Sequence, residues 1–279
     1  MSDQVVAGRF QLRQQLKKRE GQRTLLAYDQ WTQEFVILKF RLFVPDLPEE
    51  TLARLERDSE ILKTLYHPSI PAYLDYFTID LPPARAFVIV QEQAEGKSLR
   101  EHLATGRLFT ELQARQIARA ILDILAYLHG LPTPVIHRNI KPSNILVGDW
   151  AEEIACPAGV FQQMSPLYLI DFGALQAPIM PEDTSSTIMN SYDYMPPEQF
   201  AGRAVMASDL YALGITLIDL VTQVRISELP RKGQRILFEQ VVTTLSPGFT
   251  DWLKRMTEPD LPFRFPNVQI ALNTLEKLP

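Results

Sequence analysis

Two short stretches gather the polar residues whose types and spacing could do chemistry. One is His137-Arg138-Asn139-Ile140-Lys141-Pro142-Ser143-Asn144; the other is Asp171-Phe172-Gly173, which comes after the apolar run Leu167-Tyr168-Leu169-Ile170. Asn139 carries an amide, which can orient a hydroxyl by hydrogen bonding but cannot take its proton at neutral pH. Other chemistries are poorly supplied. Cys156 stands beside Pro157 with no basic neighbour to favour its thiolate. His67, His102, His129 and His137 show no metal-ligand spacing, which argues against a zinc site.

The elements that must position these groups change character along the chain. Phe10-Gln11-Leu12-Arg13 and Thr24-Leu25-Leu26-Ala27-Tyr28 alternate apolar and polar residues around a Gly-containing break, which predicts antiparallel strands. After Pro48, Leu52, Leu55, Leu62 and Leu65 recur at helical spacing and predict a helix ending near Tyr66-His67-Pro68, with Asp58 on its inward face. Phe87-Val88-Ile89-Val90 has the composition of a buried strand, and Glu95-Gly96 marks a break in the chain after it. Thr110 with Gln113 forms a capping-box pattern ahead of a long apolar helix. Ala207 to Thr222 is a second apolar helix with Asp209 as its early acid. Two shorter helical patterns between Phe249 and Leu278 are split by Pro259, Pro262 and Pro266. Strands first and helices after is an α+β order of elements, with a cleft expected where two such lobes meet.

The chain has 279 residues, 46% hydrophobic and 22% charged, enough for one large domain or two lobes around a buried core. The net charge of −5 and the scatter of basic residues, densest at Lys17-Lys18-Arg19, argue against nucleic acid as a partner. No apolar run reaches the length of a membrane span; the most apolar segment, Ile117 to Leu131, contains Arg119, Asp123 and His129. One cysteine and an N-terminus without a signal-peptide pattern fit a reducing cytoplasm.

From about Gly8 to Leu278 the chain resembles the eukaryotic-like serine/threonine protein kinases found in bacteria, with several separated motifs in order. The resemblance implies a single kinase-like domain over 1–279: a small β-rich N-lobe with one long helix at 8–93, and a larger, mainly helical C-lobe at 94–279. His137-Arg138-Asn139 stands for the catalytic loop, with Asn139 in place of the base and Lys141 and Asn144 after it. Asp171-Phe172-Gly173 stands for the metal-binding element. Val36-Ile37-Leu38-Lys39 matches the strand whose lysine meets nucleotide phosphates, and Asp58 takes the place of that lysine's acidic partner. Gln91 corresponds to the residue at the back of the nucleotide pocket, and Glu92-Gln93-Ala94 to the hinge whose backbone holds adenine. ATP and Mg2+ are the implied ligands, with Asn144 and Asp171 holding the ion. Glu198, in Met195-Pro196-Pro197-Glu198, is expected to pair with Arg264, and Asp209 to hold the catalytic loop through its backbone.

The departures oppose turnover. Lys17, Arg19 and Gln22 stand where three glycines would let backbone N–H groups close on phosphate, with Gly21 one position out of register. Ile37 replaces a small residue facing adenine, a change in volume that costs about 1–3 kcal/mol in a packed site. Asp58 is one methylene short. Lys39, Lys141, Asn144 and Asp171 either hold nucleotide or pair with one another, with Lys39 opposite Asp58 and Asp171 in an internal ion-pair network. Thr184-Ser185-Ser186-Thr187 could take phosphate recognised by Arg138, or be an ordinary polar loop. Asn190-Ser191-Tyr192-Asp193 departs from the family's substrate-binding stretch. The extra segment between Asn144 and Asp171, with Trp150, Ile154, Cys156, Val160, Phe161 and Met164, could dock a partner or pack on its own lobe. The expected function is a catalytically impaired pseudokinase with a regulatory or scaffolding role, acting on a protein partner of unknown identity. The alternatives are a weak ATP-dependent serine/threonine kinase and a nucleotide-sensing module.

Overall fold

The computed structural model describes residues 4–19, 21–43, 49–81, 84–148, 166–172 and 192–279. It divides into two compact units, Met1–Ala94 and Glu95–Pro279. The first is a six-stranded sheet in the order β1-β2-β3-β4-β6-β5, built from β1 (Val5–Val6), β2 (Phe10–Arg19), β3 (Gln22–Asp29), β4 (Glu34–Phe43), β5 (Tyr73–Leu81) and β6 (Ala84–Glu92). Neighbouring strands are antiparallel. Side chains alternate between faces along a strand. Val36, Leu38 and Phe40 therefore join Phe10, Ala27, Val88 and Val90 in a buried core, while Ile37, Lys39 and Arg41 take the opposite face. The helix α1 (Glu49–Lys63) packs against β5 and buries Leu55, Ser59 and Leu62. Asp58 sits at the flank of that face rather than within it: its side chain is 24% exposed and 3.9 Å from Arg54.

The second unit opens with β7 (Lys97–Ser98), which pairs with β8 (Ile145–Val147), itself paired with β9 (Leu167–Leu169). Gly96 precedes this sheet at φ +123°, where an added Cβ would lie 2.5 Å from the Val147 carbonyl oxygen, so only glycine fits. Among the described residues of this unit the α-helices are α2 (Leu99–Ala104), α3 (Glu111–His129), α4 (Pro197–Phe200), α5 (Met206–Thr222), α6 (Pro247–Met256) and α7 (Val268–Glu276). Thr110 and Gln113 form the predicted capping box at the start of α3. From Ala207 to Leu220 every residue of α5 is buried, and α3 and α6 pack on it. No helix among the described residues is long and apolar enough to cross a membrane.

Candidate active site

In the first unit, cross-strand register decides which side chains share a face. Leu26 lies opposite Ile37, and Ile37 opposite Gln91. Lys17 lies opposite Thr24, and Thr24 opposite Lys39, so these three form the next row on the same face. Lys39 Nζ donates to Gln91 Oε1 at 2.6 Å, and Gln91 Nε2 donates to the Pro71 carbonyl at 3.0 Å. Gln91 is buried, so its amide is a fixed partner that ties the lysine to the sheet itself. Glu92 ends β6 opposite Val36, its N–H donating to the Ala72 carbonyl at 2.9 Å, and Gln93 and Ala94 follow in irregular backbone. The β2–β3 ladder runs on to the pair Arg19 and Gln22, with Gly21 at φ +64°. The segment aligned with a glycine-rich phosphate loop is thus a tightly paired hairpin.

In the second unit the residues expected to form the catalytic loop are anchored from several sides. Asp209, fully buried on α5, accepts the His137 N–H at Oδ2 and the Arg138 N–H at Oδ1, both at 2.8 Å, and His129 Nε2 lies 2.9 Å from Oδ2. Gln199 Nε2 donates to the Arg138 carbonyl at 2.8 Å. The rings of His137 and Phe172 are 4.4 Å apart. Asn139 Nδ2 donates to the Asp171 carbonyl at 2.8 Å, Asn144 Nδ2 to the Asn139 carbonyl at 2.8 Å, and the Ile170 N–H to the Asn144 carbonyl at 2.9 Å. Asn139, Asn144 and Asp171 are therefore brought together, and Lys141 is buried on the same loop. Arg138 and Asp171 both have φ +64°, a left-handed conformation that non-glycine residues keep only where their surroundings enforce it.

Among the described residues no group of three or more His, Cys, Asp and Glu could hold a metal ion on its own. A carboxylate and an amide oxygen still fit Mg2+, which is commonly bound through one or two protein oxygens, water and substrate phosphates. With Nδ2 of Asn144 engaged, its Oδ1, 3.3 Å from Ser143 Oγ, is the atom left for such a role.

The expected architectural contacts are present. Arg264 Nη1 donates to Glu198 Oε1 at 2.7 Å and Nη2 to Oε2 at 3.3 Å, and Ser208 Oγ donates to Glu198 at 2.7 Å. Burial works to raise the Glu198 pKa, but the hydrogen bonds from Arg264 and Ser208 outweigh it and hold the carboxyl below its ordinary value.

The sequence model of the family described as the protein kinase domain matches residues 20–265. The chain belongs to the protein kinase family. Its bacterial relatives include serine/threonine-protein kinase B of Synechocystis, 33% identical over 79% of this chain, and serine/threonine-protein kinase PknA of Nostoc, 33% identical over 73%. The chain spans 37% and 34% of those two proteins. The solved PknI kinase domain of Mycobacterium tuberculosis shares the fold at TM-score 0.72 and 20% identity, covering 99% of this chain and 98% of that one. The two-lobed α+β kinase fold is thereby established, with its β-rich N-lobe carrying α1 and its helical C-lobe.

Some sequence expectations lie outside the described residues: Gly173, Thr184-Ser185-Ser186-Thr187, Asn190, Ser191 and the apolar residues of the extra segment, Cys156 among them. Other contacts were not expected. Asp219, ten residues along α5 from Asp209, accepts from Tyr194 Oη and from Arg100 Nη2 at 2.6 Å. A second acid in an otherwise apolar helix was the available signal, because a buried carboxylate needs partners. The pairing of Lys39 with Gln91 needed the β4–β6 register, which no local pattern gives.

Proposed function

We propose that this kinase domain binds ATP with Mg2+ and phosphorylates serine or threonine slowly. The observation that carries the reading is the hydrogen-bonded group of Asn139, Asn144 and Asp171 on a loop fixed by Asp209. Asp171 and Asn144 would hold Mg2+, which when bound neutralises charge on the phosphate oxygens. Lys141, buried on the same loop, would supply a cation for the phosphates; within the first unit, Lys17 lies in the same row of the sheet as Lys39, the lysine matched to the family's phosphate-contacting residue. The Nδ2 of Asn139 is engaged with Asp171, so its Oδ1 is the atom that can orient a substrate hydroxyl. It cannot accept the proton, and loss of a general base costs about 10²–10⁴-fold in rate. Phosphoryl transfer has a loose transition state governed by positioning and charge, so the remaining groups sustain turnover. The bacterial relatives, named as serine/threonine kinases, support this reading, although the substrates and partners of the whole protein go beyond the matched part.

A regulatory pseudokinase acting on a protein partner is the second reading. It is favoured by Ile37 beside Gln91 and by the tightly paired hairpin in place of a glycine loop. Thermal unfolding with ATP, with and without Mg2+, and then a phosphate-transfer assay, separate the two. A Mg2+-dependent rise in Tm with slow transfer that Lys39→Met abolishes supports the kinase. A rise without transfer points to a nucleotide sensor, and no rise to a scaffold.

A further inference from the structure

Asn139 occupies the position of the missing base, yet its side chain is not idle. Its Nδ2 donates to the main-chain carbonyl of Asp171 at 2.8 Å. Two further bonds complete a closed ring: the Ile170 N–H donates to the Asn144 carbonyl, and Asn144 Nδ2 donates back to the Asn139 carbonyl. The ring joins the catalytic loop to the segment bearing Asp171 at the residue with φ +64°.

A left-handed conformation at a non-glycine residue is strained and persists only when neighbouring contacts over-determine it. The Asn139 amide is one such contact, and it depends on a donor. An ionised carboxylate has acceptors only. An aspartate in the same rotamer would set a charged oxygen against the Asp171 carbonyl oxygen at the distance where a hydrogen bond now lies. The residue whose chemistry is wrong for a base is the one whose chemistry is right for this bond.

We propose that Asn139 is a positioning residue, whose amide donates to the Asp171 carbonyl, closes the ring through Asn144 and Ile170, and fixes the left-handed backbone that presents the Asp171 carboxylate. The part of this inference that concerns Mg2+ rests on the nucleotide-binding reading above; the ring itself does not. Asparagine at 139 is then a built component of the site, and reversion to aspartate removes a support as it restores a base.

Three proteins test this: the wild type, Asn139→Asp, which is nearly isosteric, and Asn139→Ala, which removes the donor without adding charge. Three quantities are read on each: ligand-free Tm, hydrogen exchange at the Ile170 amide, and the part of the ATP-induced Tm shift that requires Mg2+. Both variants are expected to lose about 2–4 °C in ligand-free Tm and to exchange Ile170 faster. Their Mg2+-dependent binding should weaken about tenfold, while the shift with ATP in chelator stays as in the wild type. The last comparison distinguishes positioning of Asp171 from general loosening of the fold. Wild-type Tm, Ile170 exchange and Mg2+ response in Asn139→Asp would overturn the proposal. So would a defect confined to Asn139→Asp, since repulsion alone would then explain it. If the wild type itself shows no Mg2+-dependent shift, the kinase reading and the metal-positioning role both fail, and the ring stands or falls on the ligand-free Tm and Ile170 exchange.

Discussion

At the scale of single residues, the ion pair of Arg264 and Glu198 shows how a polar contact can be structural while Gln199, the sequence neighbour of Glu198, holds the Arg138 carbonyl of the candidate site. Arg264 is almost wholly buried and spends its guanidinium on Glu198, the Ala207 carbonyl and the carbonyls of Glu258 and Pro259. Removing one partner leaves the other charge buried, which typically costs about 3–5 kcal/mol. Arg264→Met is expected to lower unfolding free energy by about that amount, measured by urea denaturation monitored at tryptophan. A loss close to zero would mean that Glu198 finds another donor or takes up a proton. Such pairs were legible in the sequence because a family motif fixes both ends. The link from Lys39 to Gln91 was not, because it joins two strands separated by a helix and another strand, and only the observed register reveals it.

At the scale of elements, periodicity carried most of the reading. The alternation in β2 and β3, the leucine spacing in α1 and the Thr110–Gln113 cap of α3 each correspond to an observed element. What periodicity could not supply was register. The row Lys17, Thr24, Lys39 exists because β2 shifts register between Gln15 and Lys17, so that Lys17 faces Thr24. A bulge of that kind leaves no reliable mark in local composition. Neighbouring strands lie about 4.8 Å apart, which puts the backbones of Lys17 and Lys39 about 10 Å apart on one face. A flexible lysine stem can bring its charge toward a polyphosphate over such a distance. If Lys17 takes over part of the work of the missing glycine amides, Lys17→Met should weaken ATP binding about tenfold and leave adenosine binding unchanged. Isothermal titration with the two ligands checks this, and equal effects on both would assign Lys17 to the hairpin alone.

At the scale of the whole molecule, pH couples to stability through buried carboxyls of opposite kinds. Asp29 receives a two-pronged contact from Arg9, at 2.9 and 2.6 Å, and the Trp31 N–H at 3.0 Å. The hydrogen bond from Arg9 outweighs burial and holds the Asp29 pKa at about 2, below its ordinary 3.8. A group whose pKa is lowered by folding contributes stability above its unfolded value, and that contribution is lost as pH falls through the folded value. Asp219 has the opposite sign: burial outweighs the bonds from Tyr194 and Arg100 and raises its pKa above 3.8. Its contribution is complete below the unfolded value and is lost as pH rises through the folded one. Asp29→Asn should therefore flatten the loss of stability between pH 3.8 and about 2. Asp219→Asn should flatten a loss that the wild type shows as pH climbs above 3.8. Urea unfolding across that range, compared between wild type and each variant, reads both slopes. Because the two residues lie in different units, the variants should also act independently, and the double variant should show the sum of the two changes.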